Sequence, residues 1–351
     1  MGIFTALIIL SFLIFFHELG HFTAARFFGV QVDVFSIGFG KKLFSRQIGK
    51  TLWTLSMIPL GGYVKMKGQN DSDPSFVSYD EDSYNVKRPW QRIVILLAGP
   101  FANFLLAFLL YLSISAIGIP KLLATVGEAN LTQPAYQSGM RSGDKIIQIN
   151  GKPIIFWEEM AQTIQNNPSM LNIMVLRGGE YIDLKVTPKL QKVPNRFNEI
   201  IERKIIGIKP DINSTQNVQY GVYDGLDYAY TQTKNASMLI VKGLQKLLSG
   251  LVPMEQVGGV VSIVDVTAKA SNVGFIALLF FTALISVNLG VLNLLPIPAL
   301  DGGHIVFNLY EMITKRKPNE EIMYKLTLMG WAILLTLMLL GLYNDINRLL
   351  G

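Results

Sequence analysis

The stretch FLIFFHELGHFTAARFFG, residues 12–29, sets the tightest limit on what this chain can become. It places His17, Glu18 and His21 inside an otherwise apolar run near the N-terminus. A helix that crosses a bilayer needs about 20 mostly apolar residues. The run from Ile3 reaches that length only if HELGH belongs to the span. An ionisable side chain at the bilayer centre costs about 2.5–3.5 kcal/mol on insertion scales. Three of them within little more than one turn need an offset, and a bound cation beside a water-filled cavity provides one.

Residues four apart share a helix face. His17 and His21 can therefore present two imidazoles to one metal, with Glu18 beside them in reach of a metal-bound water. That is the physical content of the H-E-x-x-H signature of zinc metalloproteases. The chain has no cysteine, so disulfides and thiolate ligands are excluded and any metal is held by nitrogen or oxygen. Two imidazoles leave a catalytic zinc site one protein ligand short. The candidates are His304 and Asp301, both in VNLGVLNLLPIPALDGGHIVF, residues 287–307. Pro296 and Pro298 break a helix inside the membrane there, which is tolerated where backbone lines a cavity or is packed in protein. The Asp301 carboxylate then stands at the end of a broken helix, able to face the first apolar run.

Only 16% of the 351 residues are charged, against about a quarter in soluble domains. Three more apolar windows follow, Ile93–Pro120, Val273–Leu300 and Leu326–Tyr343, and the first two of these carry no charge. Four transmembrane helices are expected. A secretory signal fits the first window poorly, since no Lys or Arg precedes it and no small-x-small cleavage site appears before Arg26. Basic residues cluster in two loops, at Lys41, Lys42, Arg46, Lys50, Lys87, Arg88 and Arg92, and at Lys315, Arg316, Lys317 and Lys325. The positive-inside bias puts both loops on the cytoplasmic side, and both termini and the middle segment, about 121–272, outside. The net charge of +6 follows from this bias and calls for no nucleic-acid partner, while basic loops favour anionic lipid.

Between the windows the chain divides further. Residues 30–68 are β-branched and aromatic with Gly turns and read as a small membrane-associated sheet of three or four strands. Residues 69–85 are polar and acidic, an expected flexible loop. Residues 121–211 alternate as a small β-rich module, with a strand at Lys145–Asn150, a hairpin at Asn150-Gly151, a helix over 157–167, a hairpin at Gly178-Gly179 and a closing strand near Pro210. The helical pattern near 226–252 is amphipathic, with Lys234, Lys242 and Lys246 beside its apolar positions, and reads as interfacial. The expected division is a first span 1–28, sheet and loop 29–91, a second span 92–120, the outward module 121–211, an interfacial helix and linker 212–272, a third span 273–304, a cytoplasmic loop 305–325, a fourth span 326–344 and a tail 345–351.

The chain resembles the site-2 family of intramembrane zinc metalloproteases, specifically the regulator of sigma-E protease branch. The resemblance rests on HELGH at 17–21 and N-x-x-P-x-P-x-L-D-G at 293–302. It is extended by FSIGFG at 35–40, IPLGGYVKM at 58–66, LAGPFANF at 97–104 and ISVNLGVLNLLPIPALDGGH at 285–304, and spans essentially the whole chain. It implies a polytopic α-helical membrane protein whose outward module is a single PDZ-like α+β domain. It implies that His17, His21 and Asp301 bind Zn2+, that Glu18 is the catalytic base, and that Asn293 holds substrate; His304 then packs beside the site. Phe39, Pro296 and Pro298 are further expected substrate contacts. The implied substrates are single-span membrane proteins, such as anti-sigma factors or remnant signal peptides, with peptide ends at the PDZ-like domain. The implied location is the bacterial inner membrane, with the site toward the cytoplasm. Some relatives carry two PDZ modules, and Gly259 stands here where relatives often have proline.

A substrate helix must unwind before attack, so Phe39 and the strand Thr51–Ile58 are expected to offer an edge for strand addition. The rival reading is a non-catalytic PDZ scaffold, for which Glu18→Gln changes nothing. A metal transporter would need a continuous polar path, and Asn103 is the only strongly polar side chain in the second window.

Overall fold

The computed structural model describes residues 2–69, 78–167, 169–195 and 199–350, without the side chains of 59 and 60. The central part of the expected loop 69–85, residues 70–77, lies outside the described residues. The chain forms two compact units, one of residues 1–114 with 226–351 and the other of residues 115–225.

The first unit begins with α1, Gly2–Phe27, which carries HELGH in its C-terminal half. Two long strands follow, β1 (Val32–Ile48) and β2 (Thr51–Met66). Each bends, so β2 passes β1 twice: Phe35 is partnered by Trp53 on one side and by Val64 on the other. The outer half of β1 turns back on β2 as well, with Arg46 opposite Trp53. The two strands thus make a sheet locally four ribbons wide. Helix α2, Pro89–Ile117, contains Pro100.

The second unit is built on its own core. Its elements are β3 (Ile119–Leu122), β4 (Val126–Ala129), α3 (Pro134–Gln137), β5 (Lys145–Ile149), β6 (Lys152–Pro153) and α4 (Trp157–Asn166). After them come β7 (Leu171–Arg177), β8 (Glu180–Val186), β9 (Lys189–Pro194), β10 (Ile200–Ile205), β11 (Ile208–Pro210) and β12 (Thr215–Val218). The largest sheet has the order β6-β5-β7-β8, and β11 pairs with β4. Ile146, Ile149, Leu171, Ile173 and Val175 are fully buried with Met140 and Met160. Asp144, also fully buried, is held by Arg177 through Nε at 2.6 Å and Nη2 at 2.8 Å.

The chain then returns to the first unit through α5 (Val222–Leu248), α6 (Val260–Val273), α7 (Phe275–Asn293), α8 (Asp301–Thr314) and α9 (Glu320–Leu350). α1, α2, α7 and α9 are long and apolar enough to cross a membrane. Between such helices lipid removes the hydrophobic drive, so close backbone approach at small residues carries the packing. Three glycines in the unit make approaches of this kind, alongside larger apolar side chains such as Leu13, Leu106 and Ile285. A Cβ at Gly2 would strike Ala268, one at Gly20 would strike the Ala98 carbonyl, and one at Gly330 would come within 2.8 Å of Ala299 N.

Three expectations change. The segment 305–325 is helical as far as Thr314 and again from Glu320, where α9 begins, since the IVFNLYEMIT run of α8 has an apolar face that a loop reading misses. Of the expected tail 345–351, residues 345–350 are the last turns of α9, because Asn344, Asp345 and Arg348 are engaged by residues 254–262. The segment 212–272 holds two helices, α5 and α6, instead of one with a linker.

Candidate metal centre

His17 and His21 are one turn apart on α1, and their Nε2 atoms lie 3.2 Å from each other. Asp301, the first residue of α8, closes the group, with Oδ2 3.3 Å from His17 Nε2 and 3.4 Å from His21 Nε2. Asp301 Oδ2 is buried and has no hydrogen-bond partner. A tetrahedral zinc with ligands at about 2.0–2.1 Å has ligand–ligand edges of about 3.3–3.4 Å. The three measured separations match such a face, so the donor set and its spacing fit a zinc ion with one position left open. Among the described residues this is the one group of three or more potential ligands close enough to share a metal.

The ring of His21 is fixed by α2. His21 Nδ1 lies 2.8 Å from the Ile95 carbonyl, to which its N–H donates, leaving the Nε2 lone pair free for a metal. A backbone carbonyl has two lone pairs, so Ile95 O can accept from the imidazole without leaving α2. Gly99 completes the fit, because a Cβ there would land on His21 Nε2. Gly20, opposite, lets α1 touch the α2 backbone. Ile95 and Gly99 on α2 therefore position the His21 imidazole, a role the sequence left unassigned.

On the other side, Leu294–Leu300 form tight turns between α7 and α8, with Ile297 N donating to Leu295 O at 2.7 Å and Leu300 N to Ile297 O at 2.8 Å. A Cβ at Gly302 would strike Leu295 O, and one at Gly303 would strike Ile297 O, so the glycines after Asp301 let α8 begin directly under this turn. That carries the carboxylate from the end of α7 to the imidazoles.

A cleft of about 280 Å³ opens on the group. His17, Glu18, His21, Asn293, Asp301 and His304 line it, together with Phe39, Gly62, Tyr63 and Val64 from the sheet and Thr327 and Trp331 from α9. Glu18 is 8% exposed. Gly62 permits its close approach, as a Cβ there would be 3.0 Å from Glu18 Cγ. Pro296 and Pro298 are absent from the cleft lining and shape the turn instead. His304 lines the cleft but is not one of the three converging ligands. The expected edge at Thr51–Ile58 is not free over Leu52–Leu55, where each residue has a partner on both sides. The ribbon of the sheet that reaches the cleft is Gly62–Met66.

The family model for Peptidase family M50 matches residues 5–337. The chain belongs to peptidase family M50. M50 is the site-2 protease family. The "putative zinc metalloprotease" of Campylobacter jejuni is 46% identical over 344 residues, covering 98% of this chain and 93% of that protein. A Helicobacter pylori protein of the same name is 40% identical over 350 residues, covering 98% and 99%. The regulator of sigma-W protease of Bacillus subtilis is 28% identical over 421 residues, covering 98% and 97%.

Proposed function

We propose that this chain is an intramembrane zinc metalloprotease that hydrolyses a peptide bond within or near the transmembrane segment of single-span membrane proteins. The observation that carries the reading is the convergence of His17, His21 and Asp301 at tetrahedral spacing within an apolar helix bundle. Membership of peptidase family M50 makes the chain a zinc metallopeptidase. His17, His21 and Asp301 would hold the ion, which would supply a Lewis acid and lower the pKa of a water toward neutral. Glu18, in the same cleft, takes the proton from the attacking water and returns it to the leaving amide nitrogen.

A scissile bond in a transmembrane helix is shielded by its own hydrogen bonds, and unpaired backbone in lipid costs several kcal/mol per group. The ribbon Gly62–Met66 lies in the cleft wall, and we assign the strand-addition role to it. Asn293, at the C-terminal end of α7 in the same cleft, is positioned to hold exposed substrate backbone by its amide, and Phe39 to pack against it. The basic loops 41–50, 87–92 and 315–325 support the reading that this side faces the cytoplasm and both termini lie outside. The unit 115–225 is read as one outward PDZ-like domain, on the support of its four-stranded sheet, the helix α4 and its single core. It would filter substrates by their peptide ends. Membrane-bound regulators of sigma factors fit this substrate class, in line with the name of the Bacillus subtilis relative.

The test is cleavage of a membrane-embedded single-span reporter by wild-type and Glu18→Gln protein at equal expression. Loss of cleavage in an inserted, folded variant supports the reading. Unchanged cleavage, or no cleavage by either across a panel of single-span proteins, favours the scaffold.

A further inference from the structure

Asn103 sits on α2, fully buried, with its terminal Nδ2 3.1 Å from His17 Nδ1. Its backbone carbonyl accepts from Ser286 Oγ at 2.8 Å, which ties this turn of α2 to α7. Its Oδ1 is buried without a partner. Burying a carboxamide in a membrane span is costly unless its hydrogen bonds are made, so this side chain needs a reason to be here.

The chemistry of His17 provides one, given the metal-centre reading above, on which this inference rests. A histidine that gives Nε2 to a metal is neutral and carries its proton on Nδ1. His21 meets that demand with the Ile95 carbonyl. His17 needs an acceptor of its own, and the group facing its Nδ1 is the Asn103 amide. With Nδ2 toward the ring, two donors would oppose each other at 3.1 Å. The two ends of a carboxamide are nearly isosteric, and hydrogen bonding decides which of them faces the ring. With Oδ1 toward the ring, the buried acceptor gains the partner it lacks.

We infer that Asn103 is a positioning residue for the metal centre: its Oδ1 accepts the Nδ1 proton of His17, fixes the tautomer and the ring plane, and aims Nε2 at the ion. The two imidazoles are thus oriented by α2 at two points, by a backbone carbonyl at Ile95 and by a side-chain carbonyl at Asn103. Asn103 does not touch the reacting atoms.

The experiment compares zinc affinity, by competition with a chromophoric chelator in detergent, for the full-length wild type, Asn103→Leu and Asn103→Asp. Leucine keeps the volume and loses the acceptor, whereas aspartate keeps the acceptor. The expected result is a loss of about 10–100-fold in affinity for Asn103→Leu and a change within about threefold for Asn103→Asp. The melting temperature of each apoprotein separates this from misfolding. Full affinity in a folded Asn103→Leu, or an equal loss in both variants, overturns the inference. A second reading uses the wild type alone and stands even if Asn103→Leu does not fold. The chain has three histidines, so ring 15N–1H spectra of zinc-loaded, histidine-labelled protein are simple to assign. The inference requires the His17 proton on Nδ1, and a His17 proton on Nε2 with zinc bound overturns it. A wild type that binds no zinc removes the metal-centre reading as well, and so is distinguishable from failure of the Asn103 role alone.

Discussion

Arg92 Nη2 on α2 donates to Glu311 Oε2 on α8 at 2.7 Å, with the two side chains only 12% and 16% exposed. α2 supplies the groups that face both imidazole Nδ1 atoms, and α8 begins with Asp301. The ion pair therefore ties together the helices that carry opposite sides of the metal centre. Removing one partner strands the other charge in a poorly solvated place. Arg92→Met or Glu311→Gln should each lower stability by about 2 kcal/mol and weaken zinc binding, while the exchange Arg92→Glu with Glu311→Arg restores much of both. Thermal melts and chelator competition on the three proteins check this. Losses that simply add in the double variant would show that the pair itself does not matter.

Gly99 is the second prediction. A methyl group there would clash with His21 Nε2. α2 is also held by Arg92 on Glu311, by Ser286 on the Asn103 carbonyl and by Tyr111 against Phe280, so Gly99→Ala should keep the helix bundle while displacing the ring. The expected outcome is insertion and secondary structure like wild type, with zinc content and proteolysis both lost. Circular dichroism paired with metal analysis reads it directly; stoichiometric zinc in Gly99→Ala would contradict the geometry.

The third concerns the C-terminal turns of α9. Asp345 accepts from Gly259 N at 3.1 Å and Ser262 N at 3.0 Å, and its side chain is joined by Ser262 Oγ. Asn344 Nδ2 donates to the Met254 and Val257 carbonyls at 2.8 and 3.0 Å. Asp345 thus caps α6 from another helix, where Gly259 as N-cap has no side chain to do so. Gly259→Pro would remove a donor and strike the Gly341 backbone. It and Asp345→Ala should each cost about 1–3 kcal/mol, seen as a lower melting temperature and faster proteolysis near residue 250. Melting unchanged in both would rule the clasp out as a support of α6.

A fourth concerns pH. Lys67 Nζ binds Asp80 Oδ2 at 2.8 Å and Asp82 Oδ1 at 2.7 Å. Tyr84 N donates to Lys67 O, and Gln31 N to Asp82 O, both at 2.8 Å, so residues 80–84 are strapped to the end of the sheet. Hydrogen bonds from Lys67 hold both carboxyls below their ordinary 3.8 and, in return, raise the lysine above its ordinary 10.5. The strap's ionic support is therefore complete between those two ordinary values. It fades as pH falls through the depressed carboxyl pKa values, or rises through the elevated lysine value. Hydrogen exchange at Tyr84 N should be slow, relative to intrinsic rates, across the middle range and lose protection in acid. Lys67→Met should abolish that acid step; persistence of the step would assign it elsewhere.

Much of this arrangement is written in local sequence. The four apolar windows are each a spanning-length helix because length and hydropathy alone decide that outcome. His17 and His21 are legible because four-residue spacing on a helix is a fixed geometry. Asp301 was one of two candidates by residue type; its approach to the imidazoles depends on the turn 294–300 and on Gly302 and Gly303, which bring α8 under that turn. The roles of Ile95, Gly99 and Asn103 were not legible from spacing, since they arise only where two distant helices cross. The helix at 305–314 was hidden by the Asp-Gly-Gly sequence, which reads as a turn and here is the first turn of α8. The folded-back strands misled for a related reason: a residue pattern gives strand content, but not which ribbon keeps a free edge.

The most direct measurement is zinc stoichiometry with X-ray absorption on detergent-purified wild-type, His21→Ala and Asp301→Ala protein, each shown to be folded. The account predicts one zinc per wild-type chain with two imidazole nitrogens in its shell, and loss of most of that zinc in both variants. Stoichiometric zinc with an unchanged absorption spectrum in Asp301→Ala would contradict it.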